Sequence, residues 1–558
     1  MTDPVVIEKD GFVFRLDPAT ASWVKPRVVD RREVLPDLPE TIVIKTNAVR
    51  TVLRVPMPEG VVFAKRYHLR GLLDRLKYLV IPSKAAAEWR AARAIAAAGL
   101  PTVHALLMGE RRTLGILQDA CFAAAGIENN LEFVPYIHEH LWDGTGESEA
   151  NRARLLDQLA GLVRRFHDAG FRHHDMHGGN LLVTGGPAEA IVHLIDLHTV
   201  KVGSSVPRGV RLRNLAKLLH SLLTGVREGD FLRMLTVYEG DRPVLGGADA
   251  ALAFIAPRVA ALEKRRLVNR TKRCLRRSSA YDVTTRDGRR IHHRREIDAG
   301  AVLDAIAVHE RSRDAGGTDV LKNSRRSALS RQTLETPDGP RPVVVKETKC
   351  HGVADRLKNL FRPPRAMASW VNGTGLGVRR VPAAEPLAMV LEGNGRLVGR
   401  SFLLMEDVAS RGGDGTRLDL HILERYAGPL DAARREEKRE LARAFGRFVA
   451  DLHARGIYHR DLKAVNVFVR PAEDGAPGFI LVDYDRVVFG ESVPRRRRIK
   501  NLAQAAASIA VLMTKTDRLR FFRAYAFDAD ARENAREYGR GVAAECEKKI
   551  VVRYEPIE

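Results

Sequence analysis

The chain has 558 residues, of which 45% are hydrophobic and 29% charged, a composition that excludes disordered and fibrous proteins and suffices for several domains. Its 92 Lys and Arg residues outnumber 69 Asp and Glu residues, and the net charge of +23 predicts an anionic partner such as a nucleic acid, a glycolipid or a membrane surface. The four cysteines lack metal-ligand spacing, no apolar stretch is long enough to cross a bilayer, and the first residues are not those of a signal peptide.

The first predicted elements are a hairpin and a strand. Residues 42–55, IVIKTNAVRTVLRV, are typical of a hairpin whose turn contains Asn47 and Arg50. Residues 61–67, VVFAKRY, are rich in β-branched and aromatic side chains. They predict a strand that carries Lys65.

Two helices are predicted next. Residues 84–99 are rich in alanine, contain Glu88 and end at a glycine. Residues 154–170, RLLDQLAGLVRRFHDAG, have apolar side chains at helical spacing and also end at a glycine.

A loop with several histidines follows the second helix. In FRHHDMHGGNLLV, residues 171–183, Asp175 precedes Asn180 by five positions. The runs LLV and VHLID predict two short strands, the second of which ends at Asp196. A strand lysine, a helix glutamate, a loop with Asp and Asn, and a strand-end aspartate follow one another in protein kinases in this order.

The second half of the chain repeats the first. Residues 64–89 align without a gap with residues 345–370, and both contain the string Asp-Arg-Leu-Lys, which falls at 355–358 in the second. Further on, LIDLHTVKVGSSVPRGVRLRNLA at 194–216 aligns with LVDYDRVVFGESVPRRRRIKNLA at 481–503. Matches this dense and in one order predict two tandem copies of a domain. The repeat period is far too long for a solenoid protein.

The predicted domains are residues 1–277 and 278–558. The boundary follows a basic helical tail at 261–277, and Asp287-Gly288 predicts a hairpin at the start of the second copy. The expected fold is α+β, with two tandem protein-kinase-like domains that each have a small β-rich N-lobe and a mainly helical C-lobe.

The second copy supplies Lys346, Asp461, Asn466 and Asp483 in the same order, but Ser369 stands where the first copy has its helix glutamate. Three glycines in SWVNGTGLG are expected to weaken this helix considerably. We therefore expect the second copy to bind nucleotide and turn over more slowly than the first, unless another acid replaces the missing one. The candidates for that acid are Glu385 and Glu392.

The residues that follow one another in this order, that is, the strand lysine, helix glutamate, loop Asp and Asn and strand-end aspartate, each have a role in a predicted site for ATP and Mg²⁺. Lysine contacts the α- and β-phosphates and the helix glutamate orients it, the loop aspartate accepts the proton of the attacking hydroxyl, and the loop asparagine and strand-end aspartate hold magnesium. The predicted residues are Asp175 and Asp461 for catalysis, Lys65, Glu88 and Lys346 for ATP, and Asn180, Asp196, Asn466 and Asp483 for metal. Neither copy contains the Gly-x-Gly-x-x-Gly loop that covers the phosphates in protein kinases.

The segment behind the strand-end aspartate indicates the kind of acceptor. Only about fifteen residues separate Asp196 from the helix predicted around Arg211, and no Ala-Pro-Glu element occurs there. A segment this short fits a small-molecule or glycolipid acceptor better than a peptide.

Several phrases resemble the bacterial lipopolysaccharide kinases, the Kdo/heptose kinase family. They are SKAAAEW, GLPT, HHDMHGGNLLV, LIDLHTV and RLRNLAKLLHSL in the first copy, with HRDLKAVNVFV and LVDYDRV in the second. The resemblance covers residues 40–235 and 320–525. It implies a protein-kinase-like fold and an ATP- and magnesium-dependent transfer of phosphate to sugar hydroxyls of the lipopolysaccharide inner core, at the cytoplasmic face of the inner membrane. The tandem arrangement departs from the family's single domain.

Three other interpretations stay open: an atypical Ser/Thr protein kinase, a second copy that is a pseudokinase scaffold regulating the first, and nucleic-acid binding. The last has no zinc-finger or RNA-binding motif to favour it. The basic balance, including the four arginines at 495–498, fits a cytoplasmic protein held peripherally on the inner membrane or facing an anionic acceptor. A solvated surface is the other interpretation of that run.

Overall fold

The computed structural model describes residues 2–227, 229–349, 362–394, 397–409, 415–471, 475–509 and 513–548. The chain divides into two compact units, Met1–Lys264 and Arg265–Glu558, here the first and second units. This division falls within a helix, Ala248–Lys272, a few residues before the expected boundary at 277/278, which stays a prediction. The matched string at 355–358 lies outside the described residues.

The first unit begins with a sheet and continues mainly as helices. Its strands are β1 (Val5–Lys9), β2 (Phe12–Leu16), β3 (Ile42–Thr46), β4 (Arg50–Met57), β5 (Gly60–Tyr67), β6 (Ala105–Thr113), β7 (Ile116–Ala125), β8 (Asn130–Glu132), β9 (Phe171–His173), β10 (Leu181–Thr184), β11 (Ile191–Leu194) and β12 (Val200–Val202). Its helices are α1 (Ala21–Val24), α2 (Leu72–Leu76), α3 (Lys84–Ala97), α4 (Phe133–His140), α5 (Gly146–Asp168), α6 (Arg208–Leu222), α7 (Asp230–Glu239) and α8 (Ala248–Lys272), which extends into the second unit.

The second unit follows the same plan. Its strands are β13 (Tyr281–Arg286), β14 (Arg289–Arg294), β15 (Val320–Asn323), β16 (Ser327–Thr336), β17 (Gly339–Lys349), β18 (Pro386–Asn394), β19 (Leu397–Glu406), β20 (Thr416–Arg417), β21 (Ile457–His459), β22 (Val467–Pro471), β23 (Pro477–Leu481) and β24 (Val487–Phe489). Its further helices are α9 (Ala299–Ala315), α10 (Arg365–Val378), α11 (Leu418–Tyr426), α12 (Ala432–Ala454), α13 (Arg495–Ser508), α14 (Lys515–Tyr525), α15 (Ala529–Glu533) and α16 (Ala535–Glu547).

The sheets of the two units have the same topology. The seven-stranded sheet has the order β1-β2-β6-β7-β5-β4-β3 in the first unit and β13-β14-β18-β19-β17-β16-β15 in the second. Each unit also has a three-stranded and a two-stranded sheet whose members correspond one to one. This agreement is consistent with the predicted duplication.

A two-residue turn joins the first two strands of each unit. Asp287 and Gly288 have φ values of 50° and 70°, the left-handed pair that a two-residue hairpin requires, and they connect β13 to β14. Asp10 and Gly11 do the same between β1 and β2, a hairpin that the sequence reasoning did not identify in the first copy.

Helix α10 corrects an expectation. Its three glycines were expected to weaken it, yet the helix is continuous from Arg365 to Val378. A Cβ at Gly373 would lie 2.6 Å from the ring of Tyr484, and one at Gly375 would lie 2.7 Å from the ring of Phe489. Gly373 and Gly375 allow two aromatic rings to pack against the helix, and this burial offsets the poor helix propensity of about 1 kcal/mol for each of the two.

The arginine run is only partly available to a partner. Arg495 forms ion pairs with Asp530 and Glu537, and Arg498 pairs with Asp528. Among the described residues, no helix combines the length and the apolar character needed to cross a bilayer.

Candidate active site

Lys65 lies on β5, between its neighbours β4 and β7, and points toward helix α3. Its Nζ is 2.5 Å from Oε1 of Glu88, which is fully buried. The hydroxyl of Tyr67, two positions along the same face of β5, donates a hydrogen bond to Oε2 of Glu88. Both carboxylate oxygens are therefore occupied, and the lysine is held in one direction.

Asp196 follows β11 in the left-handed region, with φ of 57°. Nη1 and Nη2 of Arg50 each lie 2.8 Å from one of its two carboxylate oxygens, Nδ1 of His198 lies 2.8 Å from Oδ1, and Nζ of Lys65 lies 3.6 Å from Oδ1. Burial raises the carboxyl pKa, but the bonds from Arg50 and His198 and the charge of Lys65 outweigh burial, so that the pKa of Asp196 lies well below its usual value. The group is an anion that contacts two cations, Arg50 and Lys65.

The loop after β9 places Asp175 and Asn180 together. Nδ2 of Asn180 donates to the backbone oxygen of Asp175 at 2.9 Å, and the backbone N–H of Asp175 donates to Nδ1 of His173 at 3.1 Å. The Asp175 side chain is 67% exposed and accessible to an acceptor. The charges of both Asp175 and Asp196 act on buried His173, which lies between the loop and the strand end.

In the second unit the four predicted residues line one cavity of about 830 Å³. They are Lys346, Asp461, Asn466 and Asp483. Asn466 donates to the backbone oxygen of Asp461 at 2.9 Å, as its counterpart does in the first unit. Asp483 is also left-handed, with φ of 55°. The loop geometry is therefore retained.

The lysine of the second unit has a different partner. Nζ of Lys346 contacts Oδ1 of Asp483, and the buried Ser369 occupies the position of the helix glutamate. Burial raises the pKa of Asp483, but the charge and hydrogen bond of Lys346 outweigh burial and lower it.

Neither alternative acid takes the missing role. Glu385 pairs with Arg294 and Arg341. Glu392 pairs with Arg289 and Arg400. Both carboxylates are engaged on arginines, and neither forms an ion pair with Lys346 in the part of the chain that the structure describes.

Sequence reasoning placed Arg50 in the predicted hairpin turn but did not identify its contact with Asp196, and it did not identify His198 or Tyr67. The phrase IDLH contains His198, and a polar group two positions after the aspartate was the available signal. Nothing local links Arg50 to Asp196, because 146 positions separate them.

A lysine fixed by a helix glutamate, beside a strand-end aspartate and an Asp…Asn loop, is an arrangement of the kinase class. The family model described as the lipopolysaccharide kinase (Kdo/WaaP) family matches residues 63–238 and 319–525, more than half of the chain. The chain belongs to this family, as the sequence predicted.

Curated relatives carry the description lipopolysaccharide core heptose(I) kinase WaaP. The chain is 25% identical to the protein of Escherichia coli K12 over 178 residues, which are 31% of this chain and 66% of the relative. It is 32% identical to the Pseudomonas aeruginosa protein over 156 residues, which are 27% of this chain and 58% of the relative. Each of these two matches spans somewhat less than two thirds of the relative.

A solved structure, WaaP in complex with acyl carrier protein, aligns with 45% of this chain and 97% of that chain. The identity is 22% and the TM-score is 0.35, and no conclusion rests on this similarity.

Proposed function

We propose that this protein transfers the γ-phosphate of ATP to a sugar hydroxyl of the lipopolysaccharide inner core. The observation that carries the proposal is the Lys65–Glu88 pair beside Asp196, in a chain of the lipopolysaccharide kinase family. In each unit the seven-stranded sheet would form the N-lobe and the helical part the C-lobe. The proposed domains are 1–277 and 278–558.

In the first unit, Lys65 would contact the α- and β-phosphates with Glu88 fixing its direction. Arg50, at the start of β4, would join the phosphates when nucleotide binds, because its hairpin stands where protein kinases have the glycine-rich loop. Asp175 would accept the proton of the sugar hydroxyl and orient it for attack.

The residues present suit a magnesium ion. Mg²⁺ prefers oxygen ligands and commonly takes one or two protein groups together with substrate phosphates. Asn180 uses its amide nitrogen on the backbone of Asp175, which leaves its amide oxygen as a ligand beside the Asp196 carboxylate. Asn466 and Asp483 offer the same pair in the second unit. When bound, the ion would neutralise charge on the phosphates.

A short segment favours a sugar over a peptide as acceptor. Helix α6 already begins at Arg208, soon after Asp196. The chain between them contains only a short turn and β12, which leaves little length for a peptide-docking segment. An atypical protein kinase is the less favoured alternative.

The second unit has a separate candidate role as a nucleotide-binding domain with slow or no turnover. Ser369 removes the acid that would orient Lys346, and the lysine pairs with the proposed metal ligand Asp483 instead. A misdirected charge stabilises a transition state poorly. Such a domain would regulate the first unit or hold the acceptor.

We place the protein at the cytoplasmic face of the inner membrane, held there peripherally. The net charge of +23 supports attraction to an anionic leaflet. The decisive test of function is mass spectrometry of lipid A-core from a strain lacking this chain. A lost phosphate that returns with the wild-type chain, but not with Asp175→Asn, is expected; an unchanged phosphate pattern would overturn the proposal.

A further inference from the structure

A group of basic residues in the first unit takes no part in the site described above. It comprises Arg172, His174, Lys201, Arg213 and Lys217, here called the basic cluster, which lines a cavity of about 280 Å³. The cavity has no acidic lining residue. Among the described residues, none of its two arginines and two lysines forms an ion pair.

The placement of these charges is costly without an anion. Arg172 on β9 lies directly opposite Lys201 on β12, and like charges in that register repel. Arg213 and Lys217 are four positions apart on α6, where like charges also destabilise. Burial and then the charges of Lys201, Lys217 and Arg172 lower the pKa of His174, which is a sign of positive potential in the cavity.

The basic cluster lies next to Asp175 and away from the residues proposed to bind the nucleotide. Nζ of Lys217 donates to the backbone oxygen of His174, the residue before Asp175, at 2.5 Å. Side chains alternate along β9, so Arg172 lies on the face opposite His173, which the charge of Asp196 reaches. His174, in the turn after β9, lines the same cavity as Arg172. His174, which lines this cavity, is the direct neighbour of Asp175 in the chain, so an anion bound here would lie next to the catalytic loop.

The second unit keeps the framework and changes the charges. Tyr458 and Val488 form the cross-strand pair that corresponds to Arg172 and Lys201. Gln504 donates to the backbone oxygen of Arg460 at 2.6 Å, as Lys217 does to that of His174. Arg460, Arg497 and Lys500 are the cations left there, with Arg497 stacked over the Tyr458 ring. The fold therefore accommodates uncharged residues at three of these positions.

We propose that the basic cluster binds a phosphate or carboxylate substituent of the same sugar acceptor whose hydroxyl meets Asp175. This rests on the proposed function for the identity of the acceptor, whereas the anion site itself does not. A cavity of this size takes a single anionic group rather than a nucleic-acid duplex. Four cations that hold the anionic substituent would fix the acceptor's orientation. The hydroxyl that is phosphorylated would then be the one that lies at the right distance from that substituent.

The test uses the full chain and acetylation of lysines with acetic anhydride, read residue by residue by mass spectrometry. Inorganic phosphate, compared with chloride at equal ionic strength, should slow acetylation of Lys201 and Lys217 and leave Lys25 unchanged. Deacylated lipopolysaccharide should protect the same lysines more strongly than phosphatase-treated, carboxyl-reduced material. Equal rates in phosphate and chloride would overturn the anion site. Protection by phosphatidylglycerol vesicles but not by deacylated lipopolysaccharide would assign the cluster to the membrane and overturn the acceptor.

Kinetics supply a second readout. Lys201→Val with Lys217→Gln installs the residues of the second unit, so folding should be preserved. We expect KM for the acceptor to rise about tenfold while kcat and KM for ATP stay near wild type, since uniform binding is lost. The control, Lys25→Gln with Arg242→Gln, removes two charges elsewhere and should change nothing. An unchanged acceptor KM would contradict the proposal, whereas a wild-type chain that transfers no phosphate would overturn the proposed function and leave the acetylation result standing.

Discussion

The guanidinium of Arg50 holds both carboxylate oxygens of Asp196, each at 2.8 Å. Arg50 begins β4 behind a turn in which Oδ1 of Asn47 accepts hydrogen bonds from the backbone N–H groups of Val49 and Arg50. Ser324 and Ser327 form the corresponding turn in the second unit. The second unit thus has no arginine at this place, and Lys346 binds its aspartate directly.

Arg50→Ala should increase the affinity for Mg²⁺ in the absence of nucleotide, because the cation no longer has to displace a bidentate arginine from Asp196. Binding to the folded state raises Tm, so added Mg²⁺ should raise the Tm of Arg50→Ala by more than that of wild type. Arg54→Ala on the same strand is the control. Equal shifts in all three proteins would mean that Arg50 does not compete with the ion.

Glu88→Gln should lower kcat by about 100-fold, because Lys65 loses the group that directs it and a misplacement of about 1 Å has effects of this size. The free energy of unfolding should also fall, since the ion pair between the half-buried Lys65 and the buried Glu88 is lost. Ser369→Ala at the equivalent position is the matched control and should change neither kcat nor Tm by much. Similar losses in both variants would argue against a division of labour between the units.

Asp175→Asn should remove most phosphate transfer, about 10²- to 10⁴-fold, and leave ATP binding nearly intact, because a group that takes the acceptor's proton acts in the transition state. Asp461→Asn in the full chain should retain most of the activity. Turnover that survives Asp175→Asn and disappears in Asp461→Asn would show that the second unit is the working site.

Acid should destabilise both units through a pair of equivalent histidines. His167 bonds to Tyr238 and Asn214, and His453 bonds to Tyr525 and Asn501. Burial lowers the pKa of each from 6.5 to about 4. The unfolded chain therefore binds more protons, so stability should fall as the pH decreases from 6.5 toward 4.

The measurement for this prediction is Tm as a function of pH. His167→Gln cannot be protonated, so its Tm should depend less steeply on pH in that window than that of wild type. A variant slope equal to that of wild type would exclude His167 as a cause.

Attraction between charges should hold the protein to membranes. Because salt screens such attraction over about 10 Å at 0.1 M, the protein should sediment with membranes at low salt and be released at high salt. Vesicles of phosphatidylcholine alone are the control and should not bind it. Release by detergent but not by salt would point to an apolar anchor instead.

Part of the candidate site was predictable because several of its residues lie close together in the sequence. Asp175 and Asn180 share one loop, and the hairpins carry their own turn residues, so spacing alone predicts them. Arg50–Asp196 was not predictable, since it depends on how a hairpin and a distant strand end meet. Helix α10 was misjudged because propensity is weak beside the burial of Tyr484 and Phe489.

The packing of the Tyr484 ring against Gly373 makes these two positions of the second unit depend on each other. Gly373 corresponds to Ala92 and Tyr484 to Leu197, so a bulkier ring is matched by a smaller helix residue. Gly373→Ala alone would drive a methyl group into the ring, and Tyr484→Leu alone would leave a void, each at a cost of about 1–3 kcal/mol or more. Gly373 and Tyr484 can therefore change together at less cost than either can change alone, which makes them a coupled pair in any redesign of this unit.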